Sequence, residues 1–293
     1  MLRGRPAAGA VIEVEDLRVR YRGADRYAVD GMSFRVARGE VFGFLGPNGA
    51  GKSTTQRVLT RLLRGYEGRA EVLGRPVRAW GPDYYQRIGV GFELPAHFAK
   101  LTAVQNLEAF ASLFEPPVAD ARLLLERVDL ADAADRAVAT FSKGMQVRLG
   151  LARAFVNLPD LVFLDEPTSG LDPVHTAAVR SLIREQVDEG RTVFLTTHDM
   201  ATADEMCDRV AFVVAGRIAD IDSPRGFRLR YGHHGVAVEY RDGDGTRRRE
   251  FRLEDLPSDP GFLDLLRTGR VETIHSTEAS LDDVFVRITG GRL

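Results

Sequence analysis

The segment GPNGAGKS, residues 46–53, spaces its glycines ahead of a lysine and a serine as G-x-x-x-x-G-K-[ST]. Glycine lets a backbone curl until successive N–H groups face one anion, and a helix beginning just after the loop adds the positive end of its dipole. Gly46, Pro47, Asn48, Gly49, Ala50, Gly51, Lys52, Ser53 and Thr54 are therefore candidate phosphate-binding residues. Lys52 has the reach and point charge for β- and γ-phosphates, and the Ser53 hydroxyl suits Mg²⁺. Lysine is scarce here: it stands only at Lys52, Lys100 and Lys143 within a Lys+Arg total of 40. A bulky planar guanidinium does not fit inside a ring of amides, which accounts for lysine at position 52. Lys100 reads as a solvated side chain.

Two further stretches carry matching chemistry. In LVFLDEPTSGLDP, residues 161–173, four apolar residues deliver Asp165 and Glu166 at a strand's C-terminal end, where open α/β sheets bind ligands. Asp165 suits a Mg²⁺ shell and Glu166 the polarisation of an attacking water. TVFLTTHDM, residues 192–200, ends a second apolar strand in Thr196, Thr197 and His198, so His198 is expected to face the terminal phosphate. His97, His175 and His275 read as structural histidines, and the His233–His234 pair as solvated. In FSKGM, residues 141–145, Ser142 is placed to cap a helix with Lys143 and Gly144 beside it, a second anion-binding constellation. With one phosphate loop in the sequence, this constellation either only caps its helix or meets a phosphate held by a second copy of the chain.

These residues need strands to carry them. Alternation over 11–21, and a break at Arg38-Gly39 between two strands, lead into the strand 41–45 before the loop. A helix is predicted over 52–63 and strands over 70–73, 88–92, 161–164, 193–196 and 210–214, the last turned into a hairpin at Ala215-Gly216. Residues 94–158 read as helical, with helices at 104–114, 119–128 and 145–157: a subdomain inserted in an α/β core. Beyond about Pro224 the pattern predicts a small α+β appendage. Its strands 236–240 and 250–253 flank the turn signal DGDGTRRR, followed by a helix at 262–266, a strand at 270–276 and a helix at 281–288. The expected organisation is a loose tail 1–10, a nucleotide-binding domain 11–224 and an appendage 225–293.

Composition bounds the partners. A formal net charge of −2 gives no global reason for nucleic-acid binding, and the Arg247–Arg249 run reads as a solvated hairpin face. One cysteine, Cys207, excludes an internal disulfide framework and fits a reducing compartment. No apolar run approaches the roughly 18–20 residues of a membrane helix, and MLRGRPAAGA lacks the apolar core of a secretory signal. The expected location is cytoplasmic, with any membrane contact made through a partner.

The ordered set GPNGAGKS, FSKGM, LDEP, SGLD and THD resembles the ATP-binding-cassette (ABC) ATPases over residues 11 to 222. The resemblance implies a P-loop NTPase core with N-terminal antiparallel strands and an inserted helical subdomain. It also implies ATP and Mg²⁺ as cofactors, and a head-to-tail homodimer in which Ser142, Lys143 and Gly144 close over ATP bound to the partner copy's phosphate loop. By the same resemblance Tyr21 stacks on adenine, Asp172 couples the two sites, and His198 senses the γ-phosphate. Two departures stand out. FSKGM replaces the commoner LSGGQ, as in cassettes of bacterial exporters with separate membrane subunits, here of the ABC-2 type. Glu93 replaces a glutamine that helps ligate Mg²⁺, and a carboxylate can do the same with added negative charge. EASLDDVFVRITG, residues 278–290, resembles the end of drug- and polysaccharide-exporter ATPases. The implied function is ATP hydrolysis powering separately encoded permease subunits in export. The alternatives are a binding regulator that hardly hydrolyses, an importer, and a soluble cassette acting on ribosomes or DNA. The absence of a second cassette and of sustained heptads argues against the last.

Overall fold

The structure, a computed structural model, describes residues 9–93, 96–232, 235–243, 245–277 and 279–290. It divides into two compact units, Met1–Ile221 and Asp222–Leu293. In the first, β1 (Ala10–Val19), β2 (Val29–Ala37), β4 (Glu67–Val72) and β5 (Arg75–Pro76) form an antiparallel sheet in the order β2-β1-β4-β5. Between β2 and β4 the chain forms β3 (Val41–Leu45) and α1 (Lys52–Leu59). Strand β3 belongs to a second sheet with β6 (Ile88–Gly91), β7 (Leu161–Asp165), β8 (Thr192–Thr197), β9 (Arg209–Val214) and β10 (Arg217–Asp222), ordered β10-β9-β3-β8-β7-β6. The pairs β3/β8, β3/β9, β7/β8 and β6/β7 are parallel. All five residues of β3 and all six of β8 are buried, as expected of central parallel strands covered on both faces.

Aromatic side chains join the two sheets. Phe34 of β2 stacks on Phe42 of β3 with ring centroids 5.9 Å apart, and Phe44 and Phe194 close the cluster at 4.9 Å from each other. Each such ring buries a large apolar area, and the cluster seats the loop after β3 on a fixed base.

Around the second sheet lie α2 (Tyr84–Arg87), α3 (Ala103–Ala111), α4 (Ala121–Arg127), α5 (Lys143–Arg153), α6 (Pro173–Asp188) and α7 (Met200–Met206). Helix α1 ends four residues earlier than its apolar period predicts. The Thr60 hydroxyl bonds back to the Gln56 carbonyl at 2.8 Å, and Arg61 adopts a left-handed φ of 62°, which terminates the helix.

The second unit holds α8 (Pro224–Tyr231), β11 (Gly235–Asp242), β12 (Gly245–Arg252), α9 (Pro260–Arg267), β13 (Val271–Thr277) and α10 (Leu281–Thr289), its sheet ordered β12-β11-β13. Val236, Val238, Phe251 and Leu265 form its small core. One expectation needs correction. Arg247–Arg249 lie within β12, not in a turn: the hairpin closes with Asp242 opposite Gly245. Their guanidiniums are matched locally, Arg247 by Asp242 and Arg248 by Glu250, so an exposed edge strand tolerates them. Helix α8 was not predicted: Ser223 caps it and Pro224 stands in its first turn, a Ser-Pro start signal with no apolar run behind it.

Candidate functional site

The loop after β3 is shaped by positions that admit no side chain. A Cβ on Gly46 would lie 2.1 Å from the Val213 carbonyl oxygen, and one on Gly51, at φ 106°, would lie 2.5 Å from that of Ala28. Gly51 leads into α1 without any side-chain cap. Helices α3 to α10 are each capped by a Thr, Asp or Ser side chain. The first amides of α1 are thus left for an anion, which is what a phosphate cradle needs.

Lys52 opens α1 and is only 5% exposed. Its Nζ donates to the carbonyls of Gly46 at 2.5 Å and Pro47 at 3.1 Å. Burial draws its pKa below the usual lysine value, against the opposing pull of Glu166, Asp165 and Glu93. These groups share one cleft of about 140 Å³, lined by residues 48–54 with Ala28, Glu93, Asp165 and Glu166.

Parallel pairing of β7 with β8 sets Asp165 beside Thr196. The Thr196 hydroxyl donates to Asp165 Oδ1, and Ser53 Oγ lies 3.4 Å from the same oxygen. Glu166, buried and at a left-handed φ of 48°, is held at both carboxylate oxygens. Thr197 Oγ1 donates to Oε2 at 2.9 Å, and His198 Nδ1 lies 2.8 Å from Oε1. The threonines were read only as a polar strand end. Their clamping of the acidic pair depends on strand register, which no local spacing reveals.

Among the described residues no cluster of three or more His, Cys, Asp or Glu could hold a metal by itself. The donor set is instead one hydroxyl, Ser53, with Asp165 and Glu93 carboxylates beside a phosphate cradle. That set fits a hard divalent cation brought in with phosphate oxygens and water.

Tyr21 lies two residues beyond β1, exposed, with its hydroxyl 3.2 Å from Thr54 Oγ1. Ser142 caps α5, accepting from the Met145 amide at 3.2 Å. Ser142, Lys143 and Gly144 do not line the cleft around Lys52. Lys143 and Gly144 instead lie near the SGLD segment of their own chain. A Cβ on Gly144 would lie 3.4 Å from Leu171 Cδ2, and one on Gly170 would lie 3.8 Å from Lys143 Nζ. Asp172 caps α6 through its Oδ1, and its Oδ2 takes a short contact with His175 Nδ1.

His175 was read as structural and is in fact bonded to a candidate site residue. His97 faces the Gln146 carbonyl at 2.9 Å, in keeping with a structural role. His275 is exposed on β13, so it has no buried structural role, and Lys100 is exposed as expected. His233 and His234 lie outside the described residues.

A parallel sheet with a glycine-rich loop feeding an uncapped helix, and an acidic pair at the end of the next strand but one, define a P-loop nucleoside-triphosphatase core. Comparison with known proteins narrows the class. Residues 29–169 match the ABC transporter family, and residues 234–278 match the fluoroquinolone efflux ABC transporter C-terminal domain. A fluoroquinolones export ATP-binding protein of Mycobacterium tuberculosis is 56% identical, covering 97% of this chain and 94% of its own. A daunorubicin resistance ATP-binding protein of Streptomyces coeruleorubidus is 37% identical, covering 97% of this chain and 96% of its own. A solved ATP-binding subunit of an ABC transporter superposes with a TM-score of 0.71 at 25% identity, over 95% of this chain and 99% of its own. The chain belongs to the ATP-binding subunits of ABC transporters, and it carries the ATP-binding ATPase fold of that family. Among the described residues no helix is long and apolar enough to cross a membrane.

Proposed function

We propose that this ATPase subunit works as a head-to-tail homodimer and drives export of fluoroquinolone-class aromatic drugs through separately encoded membrane permease subunits. The observation that carries the reading is the separation of two half-sites on one chain. Lys52, Ser53, Asp165 and Glu166 share a cleft that Ser142, Lys143 and Gly144 do not line, so a partner copy is needed to bring both halves to one nucleotide. The cargo class rests on the M. tuberculosis relative and on the match of the C-terminal segment.

In this reading residues 46–54 and the α1 amides bind the phosphates of ATP, with Lys52 moving from its own loop's carbonyls to the β- and γ-oxygens. Tyr21 stacks on the base. Ser53, Asp165 and Glu93 would hold Mg²⁺, which would supply neutralisation of phosphate charge. Glu166, oriented by Thr197 and His198, positions a water for in-line attack, and its clamped carboxylate suits it to that task. Asp172 links the two sites, and Ser142, Lys143 and Gly144 face the partner's γ-phosphate.

The permease surface is supported by an apolar cavity of about 460 Å³ lined by Leu62, Tyr85, Phe92, Phe110, Leu113 and Phe114. Leu62, Phe92 and Leu113 are exposed there at 56%, 46% and 67%. Such a patch marks an interaction surface, and its occupant is a cytoplasmic segment of the permease, which keeps this subunit at the inner membrane face.

The test is Mg²⁺-dependent ATP hydrolysis by the parent, Glu166→Gln and Glu93→Gln, with size-exclusion chromatography in ATP. Turnover in the parent, none in Glu166→Gln and an ATP-held dimer of that variant are expected. An inactive parent that Glu93→Gln activates would instead favour a regulator. Drug efflux from cells carrying the permease, abolished by Glu166→Gln, tests the cargo; efflux unchanged by that variant overturns it.

A further inference from the structure

Three segments meet at one imidazole outside the cleft. Asp172, at the end of the SGLD segment, accepts the amides of Val174 and His175 on Oδ1, each at 3.0 Å, and its Oδ2 contacts His175 Nδ1. The other ring nitrogen, Nε2, lies 3.6 Å from Oδ2 of Asp129, in the loop after α4. That carboxylate oxygen is also 3.2 Å from Nη1 of Arg148, a buried residue of α5. The same Arg148 nitrogen donates to the carbonyls of Val128 and Asp129 at 2.9 and 2.7 Å, which fixes the Asp129 loop to the helix that FSKGM begins. Bonds from His175, first from its backbone and then from its ring, hold the Asp172 carboxyl below the usual carboxylate range.

Each ring nitrogen thus faces a carboxylate. A neutral imidazole has one N–H and serves one of them; an imidazolium serves both. The groups facing the ring are Asp172 on its own turn and Asp129 from the α4 loop, with Arg148 of α5 behind Asp129.

We propose that His175 is a positioning residue that ties the Asp172 loop to the helical subdomain, bonded through Nδ1 to Asp172 and set with Nε2 against the Asp129 carboxylate, so that the SGLD segment and the FSKGM helix are held in one register. The consequence for turnover rests on the dimer reading above, because both segments there face the partner's nucleotide. The tie itself does not.

The experiment labels histidine with ¹⁵N in the full chain and compares the parent with His175→Gln, which assigns the ring, and with Asp129→Asn. Expected are His175 ring-nitrogen signals that move in Asp129→Asn, because Nε2 faces that carboxylate. In ATPase assays His175→Gln and Asp129→Asn are each expected to lower kcat roughly two- to fivefold, the scale of a partly exposed ion pair. The KM for ATP should be unchanged, and the double variant should fall no further than either single one. His175→Arg, which presents donors to both carboxylates, is expected to recover part of the loss. Ring-nitrogen signals that are the same in the parent and Asp129→Asn overturn the tie, as do single-variant effects that multiply in the double variant. If the ring behaves as expected but the parent has no ATPase, the tie stands and the reading of the site as hydrolytic fails.

Discussion

Replacing Thr197 by valine removes one oxygen and almost no volume from the best-defined part of the cleft. Thr197 is 1% exposed, and its hydroxyl donates to Glu166 Oε2 at 2.9 Å while accepting the Asp199 amide at 3.1 Å. Both bonds vanish in Thr197→Val, leaving one oxygen of a buried carboxylate and one amide of the His198 turn unserved. A hydrogen bond to a charged group is worth about 1.5–3 kcal/mol. If that energy serves to aim Glu166 at the attacking water, kcat falls by about 10- to 150-fold at ~1.4 kcal/mol per decade. The KM for ATP stays near the parent value, because phosphate binding belongs to Lys52 and the loop. Thr197→Ser keeps the hydroxyl and retains most turnover. The assay is steady-state Mg²⁺-ATPase, with thermal unfolding run beside it to show that each variant is folded. A folded Thr197→Val protein whose kcat lies within about twofold of the parent refutes the reasoning, since the clamp would then contribute nothing to the chemical step.

Lys52→Ala is expected to abolish hydrolysis and to weaken binding of a fluorescent ATP analogue while the far-UV circular dichroism stays that of the parent, because the lysine contacts only loop carbonyls in the free protein. Gly46→Ala puts a Cβ 2.1 Å from the Val213 carbonyl oxygen, so chemical denaturation should show a loss of about 1–3 kcal/mol with nucleotide binding gone. Burial holds the His97 imidazole below the ordinary histidine range, with Arg153 adding to the effect against the bond to Gln146. The unfolded chain then binds that proton more readily, so the contribution is present at neutral pH and is lost as pH falls through about 6.5 toward the lower folded value. The unfolding midpoint of the parent should therefore drop more steeply between pH 7 and 5 than that of His97→Gln.

The phosphate loop was legible because its constraint is local. Glycines at 46, 49 and 51 and the strand before them state a backbone path without reference to anything distant. The strands carrying Asp165 and His198 were legible for a related reason, since a central parallel strand is a continuous apolar run. What stayed hidden depends on which strands and loops become neighbours. Thr196 and Thr197 clamp the acidic pair only because β8 pairs with β7 in one register. His175 meets Asp129 across a long stretch of chain, and no spacing rule links them. Arg247–Arg249 do form a solvated hairpin face, but they were assigned to the turn signal, because a run of charges next to Gly and Asp has the composition of a turn while each stem of a strand on a sheet edge can still reach water.

In the proposed dimer, charge gives a reason for the half-sites to need each other. In the cleft, Lys52 stands against three carboxylates, Asp165, Glu166 and Glu93. MgATP brings further negative charge to a site already short of cations, and the α1 dipole with its free amides offsets only part of that deficit. The missing positive charge is available elsewhere on the same molecule, at an exposed helix N-terminus that opens with Ser142 and Lys143. Within one chain that terminus rests near Gly170 and Leu171 and does not line the cleft. A partner copy presenting it to the γ-phosphate would balance the carboxylates, and it would do so only while the nucleotide is present. Lysine in FSKGM, where the commoner motif has glycine, is then the complement of Glu93, where the commoner residue is neutral glutamine. The two departures oppose each other in sign, so the proposed dimer carrying both would keep the charge around ATP close to that of a cassette carrying neither.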